Sequence, residues 1–478
     1  MNSATAICPP VAQFHAVPSR RCAVLRGQIL SCWACWTVIL TAVVLALAAN
    51  GAASDWPQFR GPDGNGVSAH GQIPAEWSAN RNLAWKIPIP GAGWSQPIIV
   101  GDRIYLTTAV SDHPSRPKDY SSGTTDPHTV SGGKAPAPDV MIEWKVMAID
   151  LPTGHVKWVF TVASGKPRYP IHPSNTYASE TPAADARGIY AWFGAAGTVA
   201  ALDPEGRLIW QRDLGVFRHQ ENLGSGSSLR IHNGLLYIQC FNEEQAFLAC
   251  WNAQDGGEKW RIHRELKGTA WTTPLVWENK ERGELIVCGQ KRISSHDPLT
   301  GRELWHGAGI EMAGPSSPTA DQNHLYFGFR SALKTAKLYA LNLGAEGNQS
   351  VEQGEQTFRG EAWSRSGAAP GMASPVVAGN CLYIVTDATV RCHDTASGQE
   401  HFRQRLPGFR CAVASPIVIG GQVLFLDESG SAAVLKAGPR FEILGTSKLE
   451  DTFWASPAVA RNALVLRGVD SLYCIRSK

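Results

Sequence analysis

One pattern governs what this chain can become: a strand start, small residues followed by Pro, that returns along most of its length. The copies are Trp94-Ser95-Gln96-Pro97, Ser179-Glu180-Thr181-Pro182, Trp271-Thr272-Thr273-Pro274 and Pro315-Ser316-Ser317-Pro318. They continue with Ala373-Ser374-Pro375, Ala414-Ser415-Pro416 and Trp454-Ala455-Ser456-Pro457. A degenerate copy, Gly226-Ser227-Ser228-Leu229, fills the gap between the second and fourth, which makes eight starts. Measured at the Pro or its equivalent, the steps are 85, 47, 45, 44, 57, 41 and 41 residues. A period in the low-to-middle forties, with four short strands per unit, is the signature of a β-propeller. The expectation is an all-β protein, an eight-bladed propeller of four-stranded blades. It replaces the several domains that 478 residues would otherwise suggest.

In the first unit the strands are predicted over 98–100, 103–107, 145–149 and 156–162. The wide first step implies an insertion loop over about 110–140, rich in Ser, Gly, Pro and His and without a core of its own. A second marker keeps the same period. Asp150-Leu151-Pro152-Thr153-Gly154 precedes Trp158, and Asp297-Pro298-Leu299-Thr300-Gly301 precedes Trp305. Looser copies are Asp203…Gly206 with Trp210, Asn252…Gly256 with Trp260, and Asp394…Gly398 with Phe402. The Asp caps the turn with its carboxylate, Gly takes the positive φ, and the aromatic is expected to pack flat on the next blade. The chain ends at Lys478 with no room for a fourth strand in the last unit, whereas Asn82–Ile87 reads as a strand with no unit of its own. That N-terminal strand is expected to complete the last blade and close the ring, removing open sheet edges.

Residues 1–53 carry no Asp, Glu or Lys, and their charges are Arg20, Arg21 and Arg26. The apolar run Ile29–Ala49 and the small residues up to Ala53 follow, so 1–53 reads as an export signal or an N-terminal membrane anchor. Residues 54–79 then form an N-terminal extension, and 80–478 the propeller. The three arginines account for the whole formal charge of +3, leaving 41 basic against 41 acidic residues beyond them. A neutral body excludes an electrostatic nucleic-acid binder. Cys32 and Cys35 fall inside the apolar run and are read as small leader residues. Beyond it lie seven cysteines, an odd number with no CxxC spacing, expected as small buried residues with at least one free thiol.

The Ser-x-Pro starts and the Asp-x-x-Thr-Gly…Trp turns resemble the PQQ-like, quinoprotein-type propeller repeat over about residues 80–478. That family includes quinoprotein alcohol dehydrogenases and the outer-membrane assembly lipoprotein BamB. The segments Asp55-Trp56-Pro57-Gln58-Phe59-Arg60-Gly61-Pro62 and His172-Pro173-Ser174-Asn175-Thr176-Tyr177-Ala178-Ser179 are similar to an exported branch of it. The resemblance implies either a scaffold or a quinone enzyme. An enzyme of that kind would hold its quinone between a Trp floor and a disulfide of adjacent cysteines, with Ca²⁺ on oxygen ligands and an Asp base. This chain has no Cys-Cys dipeptide. It also has no G-x-S-x-G, H-E-x-x-H, Walker A or G-x-G-x-x-G motif, and its 14 His are scattered.

Two stretches carry more polar groups than a strand framework needs. One runs from Arg168 and Tyr169 through His172, Asn175 and Tyr177 to Glu180, and the other is Arg218-His219-Gln220-Glu221-Asn222. Both precede a first strand, so they should converge on one face near the central channel. Trp94, Trp271 and Trp454 occupy equivalent starts in three blades. The candidate binding residues are therefore His172, Asn175, Tyr177, Arg218, His219, Glu221, Asn222, Trp271 and Trp454, with no catalytic or metal residue assigned. The functional expectation is an exported, monomeric, BamB-like binding or scaffolding module of the periplasm or cell envelope. Its partner is a protein or an envelope component, no cofactor is expected, and membrane contact is confined to the N-terminal segment. The alternative is a PQQ- or metal-dependent oxidoreductase.

Overall fold

A proline that opens a strand has no N–H to offer a neighbour, so the segments behind the repeated Pro can pair on one side only. In the computed structural model they become the short innermost strands of eight sheets, for example Ile98–Val100, Val376–Ala378, Ile417–Ile419 and Ala458–Ala460. The structure describes residues 55–119, 136–265, 268–309, 314–330, 336–351 and 357–477. The leader read over 1–53 lies outside them, as does most of the insertion. Among the described residues no helix is long and apolar enough to cross a membrane.

The two middle strands of each blade face neighbours on both sides and read as unbroken apolar runs. Ile189–Phe193 and Thr198–Leu202 are buried at every residue, whereas the outer strand Leu208–Asp213 buries only Trp210. The cores lie between blades, not within them. In one, Tyr105, Val146 and Ala148 of the first blade meet Ile189, Ala191 and Ala200 of the second.

Indoles fasten the blades to one another. Trp158 of the first blade lies over the Gly206 turn of the second and donates its Nε1–H to Pro204 O at 3.0 Å. Trp210 repeats this with Gly256 and Ala253 O, Trp260 with Gly301 and Pro298 O, and Trp363 with Gly398 and Thr395 O. The turn carboxylates cap as expected, Asp297 Oδ1 accepting the N–H groups of Leu299 and Thr300 at 2.9 Å. Trp305 departs from the pattern and donates to Glu284 Oε2 of its own blade at 2.7 Å. The next blade has no Asp-x-x-Thr-Gly turn to receive it.

The strand Leu83–Pro88 pairs antiparallel with the chain's last strand, from Leu83↔Ile475 to Pro88↔Ser471, and completes the eighth blade. Its Trp85 then docks on Gly154 and Leu151 O of the first blade, so the closing junction uses the same fastening. Two sheets exceed four strands. Val67–Ser68 adds in parallel to the inner strand of blade seven, and Gly347–Asn348 to the outer strand of blade four. The second addition occupies part of the 57-residue step. The first-blade strands that flank the insertion run longer than predicted, over Arg103–Ser111 and Ile142–Asp150. Within the added length Trp144 Nε1–H donates to Tyr177 O of the following loop at 2.9 Å.

Candidate functional site

The residue immediately before each repeated Pro ties the ring together. The Gln96 N–H donates to Thr181 Oγ1 at 3.0 Å, Thr181 N–H to Ser228 Oγ at 2.9 Å, and Ser228 N–H to Thr273 Oγ1 at 3.0 Å. The relay continues through Ser317, Ser374, Ser415 and Ser456 at 2.9 to 3.0 Å. At the eighth step Gln96 Nε2 donates to Pro457 O instead. These N–H groups lie on the channel wall, where a missing acceptor would leave a buried donor unsatisfied. The hydroxyl requirement explains why Ser or Thr stands at this offset.

The extension 54–79 closes one end of the channel. Trp56 is fully buried and exchanges backbone hydrogen bonds with Ile99 at 2.8 Å. Gln58 Oε1 accepts Ile231 N–H at 2.8 Å, and Arg60 N–H donates to Gln96 Oε1 at 2.8 Å. The Arg60 guanidinium donates to Pro318 O at 3.1 Å, to Asn65 O at 3.0 Å and to Pro375 O. Arg230 donates to Pro274 O at 2.9 Å and to Phe59 O at 3.3 Å. Both arginines are buried, with no ion pair among the described residues. Burial pushes Arg60 down to about 9, helped by Arg230, and Arg230 down to about 10. Backbone carbonyls of the repeated prolines and of the extension face both guanidiniums, and the charge of Asp63 supports Arg230. Gly64 leaves the space this needs, since a Cβ there would sit 2.2 Å from the Arg230 guanidinium.

Above this plug the channel is a blind pocket of about 400 Å³ with Phe59 among its lining residues. Residues two apart on a strand face the same way, so a second tier belongs to the residues two positions before the hydroxyl ring. That tier comprises Trp94, Ser179, Gly226 and Trp271, then Pro315, Met372, Val413 and Trp454. Its indoles are pinned by their polar ends. Trp94 Nε1–H donates to Ser174 O at 2.8 Å, Trp271 to Gly224 O at 2.7 Å, and Trp454 to Glu428 Oε2 at 3.4 Å. Trp94 and Trp454 stack at 5.2 Å between centroids, with Trp271 half a ring away. Among the described residues the wall carries no Asp, Glu, Lys, Arg or Cys, and His172 is its titratable side chain. Glu180, between the two tiers, turns away into the blade. It accepts Gly194 N–H at 3.0 Å and the Ser225 hydroxyl, and burial raises its carboxyl above the usual range.

Of the nine sequence candidates, His172, Asn175, Trp271 and Trp454 line this pocket. Asn175 is a loop clasp as well, donating to Leu223 O at 2.5 Å and accepting Thr176 N–H at 2.7 Å. Tyr177, His219 and Asn222 line a narrow crevice beside it. There Tyr177 donates to Tyr169 O at 3.1 Å, and burial pushes His219 down to about 4. Arg218 lies over the Tyr169 ring at 5.5 Å with its N–H on Glu244, and Glu221 is exposed in a single turn at φ 51°. Neither lines the pocket. The hydroxyl ring, Met372, Val413 and Phe59 were missed. The first three stand at fixed offsets from the repeated Pro and were legible there, whereas Phe59 comes from outside the repeat. The seven cysteines are buried free thiols. Among the described residues no cluster of His, Cys, Asp or Glu is placed to hold a metal.

Residues 195–353 match the family model described as outer membrane protein assembly factor BamB. No curated protein sequence matches the chain. Among solved structures, BamB from Moraxella catarrhalis is similar at 13% identity and TM-score 0.53, over 83% of this chain and 97% of that one. Sqt1 from Saccharomyces cerevisiae follows at 10% identity and TM-score 0.51, over 73% of this chain and 94% of that one. The quinohemoprotein alcohol dehydrogenase from Comamonas testosteroni superposes at 12% identity and TM-score 0.42, over 91% of this chain and 82% of that one. At these identities the structural likeness speaks to fold alone, and 0.42 is too low to carry an argument. The chain is an eight-bladed β-propeller, and its residues 195–353 are similar to the BamB family model.

Proposed function

We propose that this protein is an exported binding and scaffolding propeller of the cell envelope, BamB-like in role. It engages a protein or envelope partner through the face on which its pocket opens. The observation that carries this reading is the wall itself, which among the described residues is two tiers of hydroxyl, indole and aliphatic groups. General acid–base chemistry needs titratable groups within reach of a common reacting atom, whereas hydroxyls, indoles and aliphatic groups make up most of the described wall. The residues also do not fit a quinone cofactor of the family's kind. Three carboxylates and a Ca²⁺ ion call for cationic side chains and oxyanion ligands, and the described residues of the wall supply neither. A neutral body supports a partner that is not a nucleic acid, and the protein is proposed to act as a monomer.

The test places a photo-crosslinking residue at Met372 on the mouth, and for comparison at Lys157 on an outer strand. A discrete envelope adduct from the mouth position alone is expected. Equal labelling from both positions refutes docking through this face. Dye-linked alcohol oxidation on adding the quinone and Ca²⁺ overturns the binding role in favour of the oxidoreductase.

A further inference from the structure

The pocket has a chemical profile more specific than a docking surface requires. Its outer tier offers flat apolar faces: the stacked Trp94 and Trp454 on one side and Trp271 half a ring away. Because each indole N–H is already spent on a protein oxygen, a ligand meets ring faces that are fixed in place. The inner tier offers hydroxyls at one level. Each has accepted one backbone N–H and keeps a proton to donate and a second lone pair. Phe59 lies at the blind end, and among the described residues no charged side chain lines the wall.

A matching ligand has an apolar flat face, a rim of hydrogen-bonding oxygens and no formal charge. A pyranose ring has all three, with C–H groups on its face and hydroxyls around its edge. A flat aromatic ligand stacks equally well but leaves the ring of hydroxyls without partners when it displaces water, and unpaired buried polar groups are costly. A quaternary ammonium ion favours indole faces but gains nothing from the hydroxyl donors. An extended peptide satisfies its backbone on a sheet edge, and the extension already takes inner-strand edges of this ring, through Trp56 on Ile99 and Val67–Ser68 on Val418–Ile419. We infer that this pocket binds the uncharged end of an oligosaccharide. Its volume of about 400 Å³ lies at the lower end of ligand pockets and suits one or two sugar rings. This inference rests on the reading of the mouth face as the binding face.

The experiment titrates the purified full-length chain by calorimetry with chitotriose, cellotriose and maltotriose. Trigalacturonate, choline and a neutral pentapeptide serve as counter-probes. Expected is binding of at least one neutral trisaccharide with a Kd below about 1 mM, a range calorimetry reads directly. Trp271→Ala and Trp454→Ala weaken it at least tenfold, and Met372→Arg, which fills the mouth without removing a ring or a ring anchor, abolishes it. Should a Trp variant fail to fold, Met372→Arg decides alone, with an unchanged melting temperature as its control. The inference is overturned if no neutral trisaccharide binds, if Met372→Arg leaves binding intact, or if a counter-probe binds in their place. A protein adduct from Met372 without saccharide binding sinks this inference and leaves the docking role standing; absence of both sinks the two together.

Discussion

Replacing Gly256 with Ala tests whether the indole-on-glycine contact fastens the blades. Gly256 has φ +63°, where an L side chain costs about 1–2 kcal/mol. Its new Cβ would also stand 2.6 Å from Trp210 Cδ2 and 2.7 Å from Cε3. Trp210 cannot swing aside cheaply, being 7% exposed and held by its Nε1–H on Ala253 O at 2.9 Å. Forcing a methyl into such a contact adds about 1–3 kcal/mol, for a total of about 2–5 kcal/mol. Gly379 is the control: φ is +57° there too, but a Cβ meets nothing within 4 Å. Unfolding entropy near about 2.1 cal/mol/K per residue, over roughly 420 residues, makes 1 kcal/mol worth about 1 °C. Scanning fluorimetry should show Gly256→Ala melting about 2–5 °C lower and Gly379→Ala about 1–2 °C lower. On a Trp210→Ala background, the Gly256→Ala increment should shrink to that of Gly379→Ala, the coupling a shared contact requires. Equal shifts for the two glycines, or an undiminished increment without Trp210, would refute the fastening role.

Four further outcomes follow from the same geometry. Ser374→Ala strips the acceptor from Ser317 N–H and should cost about 1–3 kcal/mol, whereas Ser374→Thr should retain wild-type melting. Trp56→Ala should cost about 3–5 kcal/mol and expose the channel floor to proteolysis, and a wild-type digestion pattern would contradict the plug. His219, ordinarily titrating near 6.5, is pushed down to about 4 by burial, so the unfolded chain binds its proton first. Its contribution is complete above pH 6.5 and is lost as pH falls toward 4; the melting temperature of His219→Gln should decline less steeply across that window. Thiol titration should find Cys240, Cys250 and Cys411 silent in the native state and reactive on unfolding, because they are buried and burial pushes each up to about 12.

Much of the architecture was legible before any coordinate, since a repeat states the same local solution several times. The Pro-opened inner strands, the Asp-capped turns and the strand at Asn82–Ile87 are all set by residues close in sequence. Trp158 and Gly206 were each readable, and the docking between them follows from the period. The candidate site was less legible. His172 and Asn175 stood out because they exceed what a strand framework needs, and they do line the pocket. Arg218 and Glu221 stood out equally and do not, because where a loop's polar groups point depends on neighbours such as Tyr169 and Glu244.

The chain's sequence determined a closed ring of eight like sheets, because strand starts, turns and period are local properties repeated in order. Only the tertiary structure decided that the ring's centre is a pocket and not a through-channel. Residues 55–66 enter it from outside the repeat, and Arg60 satisfies carbonyls of blades five and six, 258 and 315 residues away. Ring closure alone also brings Trp94 against Trp454. Contacts between residues so far apart leave no periodic trace in a single sequence, and the chemistry of the pocket is built from such contacts.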